Sequence, residues 1–129
     1  MERLKRILLI EDDPDIQAVA RLALEVGDFE VEVCGNGADA PALVERFAPD
    51  LILLDVMMPG LDGPSTLRLL PQQPQSAAIP VIFLTAKVQG REPETYRSLG
   101  AIDVIAKPFD PMTLAETVRD IWLAKMANR

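Results

Sequence analysis

The chain has 129 residues, a length that suits one domain with a sizeable buried core. Hydrophobic residues make up 49%, which excludes a disordered chain, and a net charge of −7 works against direct contact with nucleic acid phosphates. Cys34 is the only cysteine, so there is no internal disulfide, and the lack of histidine excludes a His-based triad, a His-ligated metal and a phosphohistidine carried by this chain.

Taken in chain order, Met1 to Arg6 lead into only four consecutive apolar residues, Ile7–Ile10. That is too short for a signal-peptide core or a membrane span, so a cytoplasmic protein without membrane contact is expected. Ile7–Ile10 reads as a strand buried on both faces, and it ends on Glu11-Asp12-Asp13. Asp13-Pro14 is a helix start signal, with proline at the first helical position. The helix places Ile16, Val19, Ala20, Ala23 and Val26 on one face and stops at Gly27. Phe29–Val33 strictly alternates, as a half-exposed edge strand does, and Cys34 is expected in or near the core. A second helix around Ala38–Phe47 tolerates Pro41 only near its first turn.

Leu51–Leu54 is a third buried strand, ending on Asp55 and then breaking into a loop with Pro59-Gly60 and Asp62-Gly63. A carboxylate at such a strand tip can act as a metal ligand or as a nucleophile. A third helix starts near Pro64 and ends by Leu70, because Pro71 and Pro74 interrupt it. Val81–Leu84 is the fourth strand and delivers Thr85. The fourth helix is the weakest: between Val88 and Leu99 only Tyr96 is large and apolar, and Gly90 and Pro93 oppose helix formation. A short, loosely held element is expected there. Ile102–Ile105 is a weaker fifth strand followed by Lys107. Asp110-Pro111 then repeats the helix start signal ahead of Leu114, Ala115, Val118, Ile121 and Trp122.

Strand and helix alternate five times, which implies an α/β fold with a parallel sheet covered on both faces. Right-handed crossovers leave few topologies, and the flavodoxin-like order 2-1-3-4-5 puts the alternating second strand at an edge. Glu11, Asp12, Asp55, Thr85 and Lys107 then converge at one rim. Clustered carboxylates repel one another unless a cation sits between them, and oxygen donors without His or Cys favour a hard ion such as Mg2+. Thr85 can donate a hydrogen bond to an anion and Lys107 a positive charge, so the parts suit a metal plus phosphoryl site. Asp13 reads instead as an N-cap, Asp62 as Asp-Gly turn chemistry and Asp15 as a first-turn acid.

The strand Ile7-Leu8-Leu9-Ile10 with Glu11-Asp12, the Asp55–Gly63 loop, Phe83-Leu84-Thr85-Ala86-Lys87 and Lys107-Pro108-Phe109 together resemble a receiver domain of two-component response regulators, the CheY-like superfamily. The resemblance runs from about Lys5 to the last helix. It implies a single receiver domain over 1–129 with a core at about 5–126. Asp55 would be the phosphoacceptor, served by a sensor histidine kinase or histidine phosphotransfer protein. Mg2+ would be held by Glu11, Asp12, Asp55 and the backbone carbonyl of Met57. Thr85 and Lys107 would contact the phosphoryl group, the Lys107-Pro108 peptide would be cis, and Met57 and Lys87 would influence the lifetime of the phosphorylated state.

The resemblance further implies a module that promotes its own phosphorylation and dephosphorylation without turning over a separate substrate. It would signal to a downstream protein or a detached output domain, as a stand-alone receiver or as the receiver end of a longer regulator. The face of the fourth helix, fifth strand and fifth helix is the candidate homodimer surface. The alternative is a phospho-independent interaction module on the same fold, against which the intact acid pocket argues. A magnesium-dependent phosphohydrolase would want a second acid close after its nucleophile, where this chain has Val-Met-Met-Pro. One departure stands out. Receivers usually carry Tyr or Phe three residues before the motif lysine, and this chain has Val104, which is stiff at χ1 and has no ring to relocate. With Pro93 on the same face, this points to an output change that is atypical or small, or that the fourth helix carries.

Overall fold

The computed structural model describes residues 3–70, 79–86 and 92–127. Strands and helices alternate through them as β1 (Arg6–Ile10), α1 (Pro14–Val26), β2 (Glu30–Cys34), α2 (Ala40–Phe47), β3 (Leu51–Asp55), α3 (Gly63–Leu69), β4 (Val81–Thr85), α4 (Glu92–Ser98), β5 (Asp103–Ala106) and α5 (Leu114–Ala127). The strands form one parallel sheet in the order β2-β1-β3-β4-β5. Parallel neighbours need crossover connections, and those crossovers put helices on both faces.

Successive strand residues point to opposite faces, and this splits the core in two. Ile7, Leu9, Leu51, Leu53, Ile82 and Leu84 pack with Ala20 and Leu24 of α1 and with Leu114, Val118 and Trp122 of α5. Leu8, Ile10, Ile52, Leu54 and Phe83 pack on the other face with Ala40 and Val44 of α2, Leu67 of α3 and Tyr96 of α4. The central strands are therefore unbroken apolar runs, while β2, paired only with β1, keeps its alternation. Each fully buried aliphatic side chain contributes about 1.5–3 kcal/mol relative to exposure.

Several local details differ from the sequence reading. In α1 the sheet-facing pair is Ala20 and Leu24, whereas Val19 and Val26 are 44% and 76% exposed. Gly27 ends α1 with an ordinary φ of −83°, and the left-handed residue is its neighbour Asp28. Glycine is needed for another reason: a Cβ at position 27 would lie 2.4 Å from the Ala115 Cβ, so its absence lets α1 and α5 close together. α5 starts at Leu114, because the Asp110 carboxylate accepts the Met112 N–H at 2.9 Å and its carbonyl accepts the Thr113 N–H, making Pro111–Thr113 a turn. Pro93 does not oppose α4. It is the second residue of that helix, where a missing N–H costs no helical hydrogen bond. α4 is short, as expected, and buries only Tyr96, whose ring meets Phe83 edge-on at 5.3 Å. Such a pair adds about 0.5–1.5 kcal/mol beyond its area burial. Pro71, Pro74, Lys87 and Gly90 lie outside the described residues.

Asp62 does more than shape a turn: its carboxylate accepts the Ser65 N–H at 2.8 Å and caps α3. The next residue, Gly63, lies against the end of β3, where a Cβ would approach the Asp55 carbonyl oxygen to 2.6 Å and the Val56 Cα to 2.7 Å. Both obstacles are backbone, so Gly63→Ala must push α3 away from the strand. The expected cost is about 1–3 kcal/mol, read as a lower urea midpoint at unchanged slope.

Candidate functional site

Because the strands run the same way, their carboxyl ends share a rim, and β1 and β3 meet there at the topological switch point. Glu11 and Asp12 follow β1, β3 ends on Asp55, β4 ends on Thr85 and Lys107 follows β5. Glu11 and Asp55 are only 1% and 2% exposed, so both carboxylates depend on protein partners. Lys107 supplies them: its Nζ donates to Glu11 Oε1 at 3.0 Å and to Asp55 Oδ1 at 3.1 Å. Asp55 Oδ1 also accepts the Met57 N–H at 3.2 Å, and Glu11 Oε2 accepts the Asp13 N–H at 3.1 Å.

Backbone contacts hold these loops in place. The Glu11 N–H donates to the Cys34 carbonyl at 2.9 Å, and Gln17 of α1 reaches back with its side-chain amide to the Glu11 carbonyl. The Lys107 N–H donates to the Thr85 carbonyl at 2.9 Å, tying the lysine loop to the end of β4. The Lys107-Pro108 peptide is cis. Gln17 was not singled out from the sequence, where a glutamine inside a helix carries no sign that it steadies a loop.

Carboxylate oxygens of Glu11, Asp12 and Asp55 lie within 4.8 Å of one another. One ammonium among three carboxylates leaves an excess of negative charge in a largely buried place. Burial pushes the Glu11 carboxyl up to about 7, the Asp55 charge adds to the effect, and hydrogen bonds from Lys107 and the Asp13 N–H offset it only in part. For Lys107, burial favours loss of the proton, but its bonds to Glu11 and Asp55 outweigh this and raise it above the usual lysine value. Hard oxygen donors with surplus charge suit a small divalent cation, so the residues fit Mg2+ on their chemistry.

The structure thus brings the carboxylates of Glu11, Asp12 and Asp55 within 4.8 Å of one another, bonds Lys107 to Glu11 and Asp55, and sets Thr85, itself buried, at the same rim. Met57 lies on the loop just past Asp55, with its side chain exposed. Asp13 caps α1 by accepting the Asp15 N–H at 2.8 Å and the Ile16 N–H at 3.4 Å, and Asp15 is a first-turn acid. Among the described residues, no helix is long and apolar enough to cross a membrane.

A five-stranded parallel sheet of this order with acids at its carboxyl rim is the CheY-like form of the flavodoxin fold. The chemotaxis protein CheY4 of Vibrio cholerae superposes with a TM-score of 0.84 at 26% identity, over 92% of this chain and 99% of that one. Residues 7–119 match the family model of the response regulator receiver domain, and the chain belongs to that family. It is 35% identical over 116 residues to protein PilH of Pseudomonas aeruginosa, covering 90% of this chain and 96% of PilH. It is also 35% identical over 115 residues to the DNA-binding response regulator MtrA of Mycolicibacterium smegmatis. That match covers 89% of this chain but 49% of MtrA, so the chain spans about half the length of that relative.

Proposed function

We propose that this receiver takes a phosphoryl group onto Asp55 with Mg2+ bound and passes the event on by a conformational change. The observation that carries the reading is the buried Asp55 carboxylate, held by the Lys107 ammonium beside the Glu11–Asp12 acid pair. Lys107 and the Met57 N–H fix that carboxylate through Oδ1, which orients it for attack on phosphorus. As phosphorus transfers from an imidazole nitrogen to the Asp55 oxygen, the Lys107 ammonium pairs with the phosphoryl oxygens and the Thr85 hydroxyl donates to them. Held by Glu11, Asp12, Asp55 and the Met57 carbonyl, Mg2+ would neutralise charge building on those oxygens.

The imidazole donor belongs to a sensor histidine kinase or a histidine phosphotransfer protein, since this chain has no histidine. The recipient of the signal is a downstream protein or an output domain. We assign its contact, or that of a second copy, to the face of α4, β5 and α5, where Arg97 pairs with Asp103 at 2.8 Å.

Incubation with Mg2+ and acetyl phosphate tests the reading. One base-labile, hydroxylamine-sensitive phosphoryl group is expected, lost when the metal is chelated. No adduct with any phosphodonor would instead support a phospho-independent interaction module.

Metal binding should also depend on pH. Glu11 must give up its proton to become a ligand, and its pKa is raised to about 7. Mg2+ affinity should therefore be level above that pH and fall about tenfold per unit below it. Calorimetry in buffers of different ionisation enthalpy should show close to one proton released per metal on the acid side. Equal affinity and no proton release on both sides would contradict the assignment of Glu11 as a ligand.

A further inference from the structure

We infer that Tyr96 is the residue through which α4 reads the state of the Asp55 site. The inference rests on the phosphorylation reading above and names how that event leaves the site. α4 has seven residues, and Tyr96 is the one it buries, at 5% exposure. The helix's one buried side chain on the domain is thus this ring, beside the exposed Arg97–Asp103 pair. That ring lies edge-on to Phe83 with centroids 5.3 Å apart and planes at 72°.

Phe83 connects the ring to the site along two paths. The first runs along β4: Phe83 stands two residues before Thr85, on the same face of the sheet. The second runs through the β3 loop. Val56 and Met58 belong to the buried cluster that holds Phe83 and Tyr96, and they flank Met57, whose N–H binds the Asp55 carboxylate. The Val56 N–H also donates to the Leu84 carbonyl at 3.0 Å, so the two paths are tied to each other.

Across the sheet Phe83 is in register with Val104, which is only partly buried against the same cluster. Valine brings no ring to that layer, so the ring that meets Phe83 comes from α4 rather than from β5. A phosphoryl group on Asp55 adds charge that draws on Thr85 and Lys107 and thereby displaces the end of β4. Tightly packed layers shift between discrete arrangements rather than deforming smoothly, and α4 cannot follow unless Tyr96 changes its seat on Phe83.

Amide and aromatic nuclear magnetic resonance of the full chain, with and without Mg2+ and beryllofluoride as phosphoryl mimic, tests this. In the wild type, amides of the Asp55 loop and of Glu92–Ser98 should both shift, together with the Tyr96 ring signals. Tyr96→Phe should keep the α4 response. Tyr96→Leu, which keeps an apolar side chain but removes the ring, should leave the Asp55-loop shifts and acetyl phosphate labelling intact while the α4 response falls to background. An undiminished α4 response in Tyr96→Leu would overturn the inference. So would a wild type in which the Asp55 loop shifts and α4 stays silent. No response even at Asp55 would overturn the phosphorylation reading and this inference with it.

Discussion

Asp55→Asn is expected to abolish phosphoryl incorporation and, without divalent cation, to make the folded protein more stable. The first effect follows because an amide oxygen does not replace the carboxylate as nucleophile. The second follows from charge. Glu11 and Asp55 are both buried and share a single ammonium, and the Asp55 charge is one of the influences holding the Glu11 carboxyl at about 7. Asparagine keeps the shape and can still accept the Lys107 and Met57 donors, but leaves a neutral Lys107–Glu11 pair. Relief of this kind is worth on the order of 1 kcal/mol, or a few degrees in Tm for a chain of this size. Saturating Mg2+ should narrow or reverse the difference, because the wild type gains more from the ion. A metal-free variant melting well below wild type would show that the Asp55 charge is a net stabiliser.

Lys107→Ala is expected to act in the opposite direction and more strongly. It leaves two buried carboxylates without the cation that bonds both, at 3.0 and 3.1 Å. Breaking a buried ion pair from one side typically costs about 3–5 kcal/mol. The loss should vary with pH. Glu11 already sits above its ordinary value of 4.5, and removing Lys107 takes away an influence that lowers it, so it rises further. A carboxyl raised in the folded state has its full stability below the unfolded pKa and loses it as pH rises through the folded one. The variant's deficit against wild type should therefore be largest above about pH 7 and shrink towards about pH 5, with Mg2+ recovering part of it. Urea unfolding across that range, with and without the ion, reads the effect. Phosphorylation by acetyl phosphate should fall roughly 10²-fold, as for loss of a preorganised charge at a reacting group. A deficit independent of pH would mean that packing of the lysine stem, and not its charge, supports the site.

Much of this architecture was legible from residue patterns. The apolar runs at Ile7, Leu51 and Val81 located three central strands to within a residue, because strands buried on both faces admit no polar interruption. The alternation around Val31 placed β2 at an edge for the complementary reason. The convergence of the candidate residues was legible too, since β1, β3, β4 and β5 each give way from apolar to charged or hydroxyl residues at their carboxyl ends. What stayed hidden depends on neighbours. Residues 18–26 of α1 are so rich in Ala, Val and Leu that several faces fit the helical period, and only packing against the sheet selects Ala20 and Leu24. Gly27 looks like any helix stop until Ala115 is seen against it. The α5 start signal at Asp110-Pro111 is genuine but starts a turn, with the helix three residues later. Gln17 and Tyr96 take their importance from partners in other elements, which no local pattern records.

The contact between Glu11 and Lys107 joins residues 96 positions apart. During synthesis, a chain that has emerged as far as β4 owns every acid of the pocket but not the base that pairs with them. Lys107 reaches its place only when β5 has added to the far side of β4. The pocket is therefore complete, with its base in place, only after β5 has closed the far side of the sheet.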